Sequence, residues 1–490
     1  MIPWLSARAR STPNRVALEI GGESVPFGAL DAGVRRLAAR LRASGLAPGD
    51  VLATLLWNGR PFVECFHAAS LCGAVLLPLH ARATAAEVAF ALCDAKARVL
   101  VHGAGDLGAV ARAAAPASGA CLLEAPEGPT ATLARGASFP EPDPDLDPAS
   151  TLAILYTSGT TGRPKGACLR YESFLWSAAA SALHLGASRD DRWLACLPLF
   201  HVGGLSVLVR SVLSGGAVVV HERFDAAAVA EALDGGRVTG ASLVPTMLAR
   251  VLDARAPGPL PAALRCVLVG GGPIAPDLLA RARAAGFPVA PSYGLTEATS
   301  QVATVPPLEE GEGLAARALP GVELRIEDEE GNVLPPGTPG EICVRSRTVM
   351  SGYLGLPEET ARALRGGWLH TGDVGVLDGH GRLRVLDRRS DLVVSGGENV
   401  YPAEVESVLA AHPDVREVVV GGESHGDLGQ RVLAAVVPRE GAKPDAEALR
   451  EFCRERLAGH KVPGRIVFVS ELPRTSSGKV LRRAIGAAGS

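Results

Sequence analysis

Apolar residues along the first two-thirds of the chain alternate between helical spacing and short continuous runs. Leu30, Val34, Leu37 and Leu41 fall on one helical face, and Val51–Leu56 follows as a compact apolar run of strand length. The same alternation recurs as a helix over Pro61–Leu71 before Val75-Leu76-Leu77, and a helix over Ala85–Ala95 before Val99-Leu100-Val101. Strands that are apolar on both faces and separated by helices imply largely parallel sheets covered on each side. The Pro/Asp-rich stretch 139–148 has no regular period and reads as a linker. A second α/β series follows it, with strands near Leu152–Tyr156, Ala217–Val220, Ala241–Val244 and Cys266–Val269. From Glu323 to Val385 the apolar runs shorten and turn residues crowd between them, as in a small β barrel or meander. After Asp387 the pattern becomes α+β: a helix opened by Pro402, strands near Val418–Val420 and Val432–Val437, and a helix over Ala446–Leu457.

Length and charge narrow the class. A chain of 490 residues exceeds one ordinary domain, and 47% hydrophobic with 21% charged residues is ordinary for a globular core. The net charge is −3 with both signs interleaved, so the concentrated positive face that nucleic acid requires is missing. The nine cysteines form no C-x-x-C pair, which argues against a structural zinc site, and their mostly apolar surroundings suggest buried, reduced thiols. The N-terminus has no charged-then-apolar leader, and no run approaches the ~20 apolar residues of a membrane span. The expectation is a cytoplasmic protein without membrane insertion.

The most informative segment is Tyr156-Thr157-Ser158-Gly159-Thr160-Thr161-Gly162-Arg163-Pro164-Lys165-Gly166, which follows an apolar strand. Glycines let backbone N–H groups approach an anion, hydroxyls donate to it, and the lysine adds a point charge. The loop suits polyphosphate. It is not a Walker A loop, because no G-x-x-x-x-G-K-[S/T] string occurs in the chain.

That string resembles the signature loop of the adenylate-forming superfamily, which includes acyl-CoA synthetases, luciferases and peptide-synthetase adenylation domains. The resemblance runs from about Thr12 to Arg483, with the motifs in the family's order. It implies an α/β enzyme with a large N-terminal domain, 1–387, of two αβα subdomains plus a small β barrel. A hinge at 388–391 would join this to a smaller mobile α+β domain, 392–490. It also implies ATP and Mg²⁺ as cofactors, CoA as co-substrate, a small-molecule carboxylate as the activated acid, and a possible homodimer.

The remaining motifs take their roles from the same resemblance. In Tyr293-Gly294-Leu295-Thr296-Glu297, Tyr293 would stack on adenine, Thr296 would touch the α-phosphate and Glu297, with Thr161, would hold the metal. Gly270-Gly271-Gly272-Pro273 would pack against adenine; it does not complete G-x-G-x-x-G, because Ala275 fills the last position. His201, in Leu197-Pro198-Leu199-Phe200-His201, would lie between the acyl pocket and the α-phosphate. Asp373 in Trp368-Leu369-His370-Thr371-Gly372-Asp373 would accept from the ribose hydroxyls, and Arg388 would also reach the nucleotide. Ser390 stands at the hinge where many relatives have Asp or Lys. Gly396 and Gly397 would line the thiol tunnel, and Lys479, in Pro473-Arg474-Thr475-Ser476-Ser477-Gly478-Lys479, would bridge carboxylate and α-phosphate.

Three longer strings, Phe200–Ser206, Ser292–Gln301 and Asp387–Glu406, look like the branch of this family that ligates 2-succinylbenzoate to CoA in menaquinone biosynthesis. A dicarboxylate needs a second cationic partner, and Arg210, nine residues after His201, is the candidate, with Ser300 beside it in the pocket. A medium-chain or aryl acid–CoA ligase, or an adenylation enzyme loading a carrier protein in trans, remains an alternative.

Overall fold

A computed structural model describes residues 3–125, 146–158, 164–272, 274, 276–307, 316–328, 330–387, 393–400, 402–472 and 485. The chain divides into two compact units. The first comprises Met1–Ala81, Ala89–Leu155 and Gly166–Leu386; the second comprises Arg82–Val88, Tyr156–Lys165 and Asp387–Ser490.

The first unit carries a nine-stranded sheet whose interior is parallel. Val289–Leu295, Cys266–Val269, Gly240–Leu243, Arg192–Ala195, Ala217–Val220 and Val16–Ile20 lie side by side in that order. Antiparallel strands close both edges: Ser300–Thr304 and Arg317–Ala318 at one end, Glu23–Pro26 at the other. Leu194, Val229, Leu233, Leu248, Val267 and Phe287 form one continuous core against this sheet. Its central strands are four residues each, and Ala217–Val220 and Cys266–Val269 are apolar throughout, as burial on both faces favours.

A seven-stranded sheet runs in the order Gly352–Tyr353, Pro164–Arg170, Thr151–Ser158, Val75–Pro78, Val51–Leu55, Ala97–His102, Cys121–Glu124. The helix Arg60–Cys72 connects two of its parallel strands and ends at Gly73, whose left-handed φ of 66° suits a C-terminal glycine. A five-stranded antiparallel sheet, Glu323–Glu327, Gly340–Arg345, Trp368–Leu377 and Leu364–Arg365 with Leu383–Asp387 alongside, occupies the turn-rich region. The second unit holds its own sheet, built on the long antiparallel pair Val415–His425 and Gly429–Pro438. The helices Pro402–Ala410 and Ala446–Arg454 bury Val405, Leu409, Leu449 and Cys453 in this unit's core.

Two features depart from the sequence reading. The hairpin Val16–Pro26, which adds two strands to the large sheet, precedes the first helix that the periodicity marks; its strands are too short to show a period. All nine cysteines are unpaired, but Cys93 and Cys121 are exposed and Cys168 is half-buried, so thiol burial holds for the other six. Most of the 139–148 linker lies outside the described residues. No helix among the described residues is long and apolar enough to cross a membrane.

Candidate active site

The parallel strands of the nine-stranded sheet point their C-terminal ends at one edge, and the motif residues follow those ends in turn. Arg192–Ala195 leads into Leu197–His201, Cys266–Val269 into Gly270–Gly272, and Val289–Leu295 into the 3-10 turn Thr296–Ala298. In open α/β sheets this edge is where ligands bind.

The Tyr293–Glu297 segment is built around a close backbone crossing. Val289–Leu295 turns back through Thr296–Ala298 into Ser300–Thr304, with a register shift between Tyr293 and Gly294. A Cβ on Gly294 would lie 1.8 Å from the Ser300 carbonyl oxygen, so no larger residue fits. Thr299 and Ser300 both adopt positive φ, 53° and 85°, which costs about 1–3 kcal/mol per residue outside glycine and persists only when neighbours enforce it. The enforcing bonds are visible. Thr299 Oγ1 donates to the Thr348 carbonyl at 2.6 Å, and Ser177 Oγ donates to the Thr299 carbonyl at 2.7 Å.

Glu297 is 4% exposed, and its carboxylate accepts from the Tyr353 hydroxyl at 2.9 Å. Tyr353 comes from the strand Gly352–Tyr353, which pairs antiparallel with Pro164–Arg170, the strand after the phosphate loop. The Tyr293 hydroxyl donates to Asp373 Oδ2 at 2.7 Å, and Asp373 is itself 6% exposed. The large sheet and the antiparallel sheet therefore meet through the tyrosine and the aspartate expected at the nucleotide. Asp373 is positioned from its own strand by Thr371 Oγ1, which accepts from the Asp373 N–H at 3.1 Å. The neighbouring Gly372 N–H donates to Glu341 Oε1 at 2.9 Å.

His201 is exposed and caps the helix Val202–Ser214 at its N-terminus, with its ring 4.6 Å from Phe200 and 6.1 Å from His80, centroid to centroid. The approach to it is fixed by Asn58, which sequence reading passed over. Asn58 Nδ2 donates to the Leu197 and His221 carbonyls at 2.9 and 3.2 Å, and its Oδ1 accepts from the Leu199 N–H at 2.8 Å. An isolated asparagine carries no motif, so nothing in the sequence marks it. Tyr353 was missed for the same reason, and Gln301, at the end of the string Ser292–Gln301, was given no role of its own.

Arg210 lies on the same helix as His201. Its Nη1 donates to Gln301 Oε1 at 3.4 Å, its guanidinium carbon sits 4.7 Å from the Trp193 ring centroid, and its Nη2 is sealed from solvent with no hydrogen-bond partner among the described residues. Burial pulls its pKa down to about 10, so it stays cationic near neutrality. It also lines a cavity of 30 Å³ with Ser181, Trp193 and Ser211, room for about one water. Ser300 is half-buried next to Gln301 in the sequence.

The remaining expected residues divide by where they fall. Thr157 is half-buried, its Oγ1 donating to the Lys165 carbonyl at 3.4 Å, and Lys165 is 8% exposed. Gly271 has a φ of 79°, and Gly272 follows it, half-buried. Gly396 and Gly397, with φ of 59° and 85°, form the two-residue turn between Val393–Ser395 and Glu398–Val400. Positive φ at both positions is what a type I′ hairpin demands, so these glycines are required by the turn itself. Gly159, Thr160, Thr161, Pro273, Arg388, Ser390 and Lys479, and the side chain of Ser158, lie outside the described residues.

Comparison with known proteins shows the family. The sequence pattern of the AMP-binding enzyme family matches residues 5–354, and that of the AMP-binding enzyme C-terminal domain matches residues 404–479. The chain belongs to the AMP-binding enzyme family. Among AMP-binding enzymes, the 2-succinylbenzoate–CoA ligase of Geobacillus kaustophilus is 42% identical, covering 98% of this chain and 96% of the relative. That of Bacillus mycoides is 41% identical, covering 98% and 97%. A double mutant of o-succinylbenzoate CoA synthetase (MenE) from Bacillus subtilis, bound to its product analogue OSB-NCoA, superposes with a TM-score of 0.92 at 37% identity, covering 99% of this chain and 98% of that one. The Bacillus subtilis enzyme in complex with ATP and magnesium ion gives 0.75 at 38% identity, covering 99% of each chain.

Proposed function

We propose that this AMP-binding enzyme is an ATP-dependent acid–CoA ligase acting through an acyl-adenylate, with 2-succinylbenzoate as its acid. The reaction class is supported by the near-full-length likeness to 2-succinylbenzoate–CoA ligases. The observation that carries the acid is Arg210. A largely buried guanidinium whose Nη2 has no hydrogen-bond partner among the described residues, on the helix that His201 opens, is suited to a second carboxylate that a fatty or simple aryl acid lacks.

A carboxylate does not react with a thiol directly, because oxide would have to leave. In the first half-reaction an oxygen of the acid attacks the α-phosphorus of ATP, the bond to pyrophosphate breaks, and a mixed anhydride forms. In the second, the CoA thiolate attacks the acyl carbon and AMP departs. Both reactants of the first step are anions, so catalysis is positioning and charge neutralisation. Lys165, Lys479 and the hydroxyls of Thr157, Ser158, Thr160 and Thr161, with the backbone of Gly159, would hold the phosphates. Tyr293, Gly271, Gly272 and Pro273 would frame adenine, and Asp373 with Arg388 would take the ribose. Thr296 would touch the α-phosphate, and His201 and Ser300 would border the acid. The buried Glu297 carboxylate, oriented by Tyr353, is a hard oxygen donor that fits Mg²⁺, with Thr161 as a second donor. When bound, that ion offsets phosphate charge. Gly396 and Gly397 would leave room for the CoA arm, and residues 388–391, including Ser390, would serve as the hinge to a C-terminal domain over 392–490.

The test is pyrophosphate release with CoA over a panel of acids. 2-Succinylbenzoate should exceed benzoate and medium-chain fatty acids by about 100-fold or more in kcat/KM. Arg210→Met should raise KM for it by about 10- to 100-fold, as loss of one charge-assisted hydrogen bond implies, without changing benzoate turnover. Comparable turnover of fatty acids, or equal losses on both acids, would remove the basis for this substrate.

A further inference from the structure

In the five-stranded antiparallel sheet, three chemically different ligand atoms converge where no role has been assigned. Glu327, Cys343 and His370 are 2%, 0% and 8% exposed, and a carboxylate oxygen, the thiol sulfur and a ring nitrogen all lie within 4.8 Å of one another. They come from three adjacent strands. Cys343 pairs in register with His370 across one strand boundary, and Glu327 pairs with Glu341 across the other.

We propose that Glu327, Cys343 and His370, with Glu341, form a binding site for a zinc-like divalent cation. The distances fit the edges of a tetrahedron. Cys343 Sγ is 3.4 Å from His370 Nδ1, Glu327 Oε2 is 3.8 Å from the same nitrogen, and Glu341 Oε2 is 3.0 Å from it. With Zn–S bonds near ~2.3 Å and Zn–N or Zn–O bonds near ~2.0–2.1 Å, tetrahedral edges come to roughly 3.3–3.6 Å. Shifts of a few tenths of an ångström bring these three separations into that range. A hydrogen-bond network alone explains the Glu341–His370 contact. It also gives the Cys343 thiol an acceptor in Glu327, but it leaves Glu327 Oε1, sealed from solvent beside Arg325, with no hydrogen bond among the described residues.

The donor types select the ion. Thiolate, imidazole and carboxylate together suit Zn²⁺, whereas Mg²⁺ and Ca²⁺ take oxygen alone. The charge balance also permits entry. Arg325 pairs with Glu327 and stays at the rim. Arg365 is the group now facing the histidine, reaching its two ring nitrogens at 3.1 and 2.9 Å and Glu341 at 3.3 Å. Its side chain is 54% exposed, so it can withdraw to solvent when a cation takes its place. The ion would brace the strand Trp368–Leu377 three residues before Asp373.

The experiment uses the full chain, stripped with a chelator and titrated with Co²⁺ as an optical stand-in for Zn²⁺. One equivalent should bind with tetrahedral d–d bands and a thiolate-to-cobalt charge-transfer band, and Zn²⁺ should displace it and raise the melting temperature. Because eight other cysteines are present, Cys343→Ser is the control and should abolish the charge-transfer band. Should that variant not fold, Glu327→Gln should still weaken Co²⁺ at least tenfold. Arg365→Ala, at an exposed position, should bind Co²⁺ several-fold more tightly, because the competing guanidinium is gone. Absence of the band from both the parent and Arg365→Ala overturns the site, as does a band that survives Cys343→Ser or binding unchanged in Glu327→Gln.

Discussion

At position 294 the smallest side chain is already too large. Alanine would drive a Cβ to 1.8 Å from the Ser300 oxygen, forcing apart the strand and its return through Thr299 and Ser300. Gly294→Ala should cost about 1–3 kcal/mol of stability, as overpacking does, and lower pyrophosphate–ATP exchange at least 100-fold by displacing Tyr293 and Glu297 together. Urea midpoints and isotope exchange measure the two effects. Tyr353→Phe is gentler: it removes one donor from a buried carboxylate, at about 1–3 kcal/mol. It should raise the Mg²⁺ concentration needed for half-maximal exchange without changing the KM for the acid. His67 makes a pH prediction. It is 6% exposed on the helix Arg60–Cys72, and burial pulls its imidazole from 6.5 to about 3. The unfolded chain takes up that proton near pH 6.5 and the folded chain only near 3, so between those values the unfolded state binds more protons and stability falls on acidification. In denaturation at pH 7 and pH 4.5, His67→Leu should show a smaller loss than the parent; an equal loss would mean other groups set the slope.

At the scale of elements, short loops at strand ends do the positioning, and they were unevenly legible. Cys266–Val269 could be read to the residue, because burial on both faces leaves an uninterrupted apolar run, whereas Arg192–Ala195 and Val289–Leu295 in the same sheet, interrupted by Arg192, Pro291 and Ser292, were passed over. The glycine strings marked the turns that follow them. What stayed hidden were contacts between distant segments. Asn58 ties Leu197, Leu199 and His221 into one frame across 139 to 163 residues of sequence. Asn58→Leu strands these backbone groups without partners. The expected result is a lower melting temperature together with a raised KM for the acid, measured by calorimetry and initial rates. The Gly396–Gly397 turn teaches a different lesson. Space for a thiol arm is one reason to place glycine there, and left-handed backbone is a second that holds with no ligand at all. Gly397→Ala should therefore destabilise by about 1–2 kcal/mol even in assays without CoA.

Over the whole molecule, two half-reactions make opposite demands on the C-terminal lysine. On the proposed mechanism, adenylation brings carboxylate and polyphosphate together and would benefit from Lys479, whereas thiolate attack on the acyl carbon of the adenylate, with pyrophosphate gone, would need it less. Lys479→Ala should abolish adenylate formation yet retain thioester formation from supplied acyl-AMP, read by following CoA consumption. Equal loss of both would mean that one arrangement of residues serves both steps. The large α/β architecture was readable from alternation alone, but the meeting of its sheets was not, since no periodicity reports which strand faces which.

One such meeting bears on nucleotide entry. The Tyr293 hydroxyl already occupies an oxygen of Asp373, the carboxylate assigned to the ribose. Sugar hydroxyls arriving there would exchange with or join a phenol; they would not rescue a naked anion. If Asp373 and Tyr293 take the proposed roles, part of the energy of gripping ATP would go into loosening a tyrosine that would then be free to settle against the base.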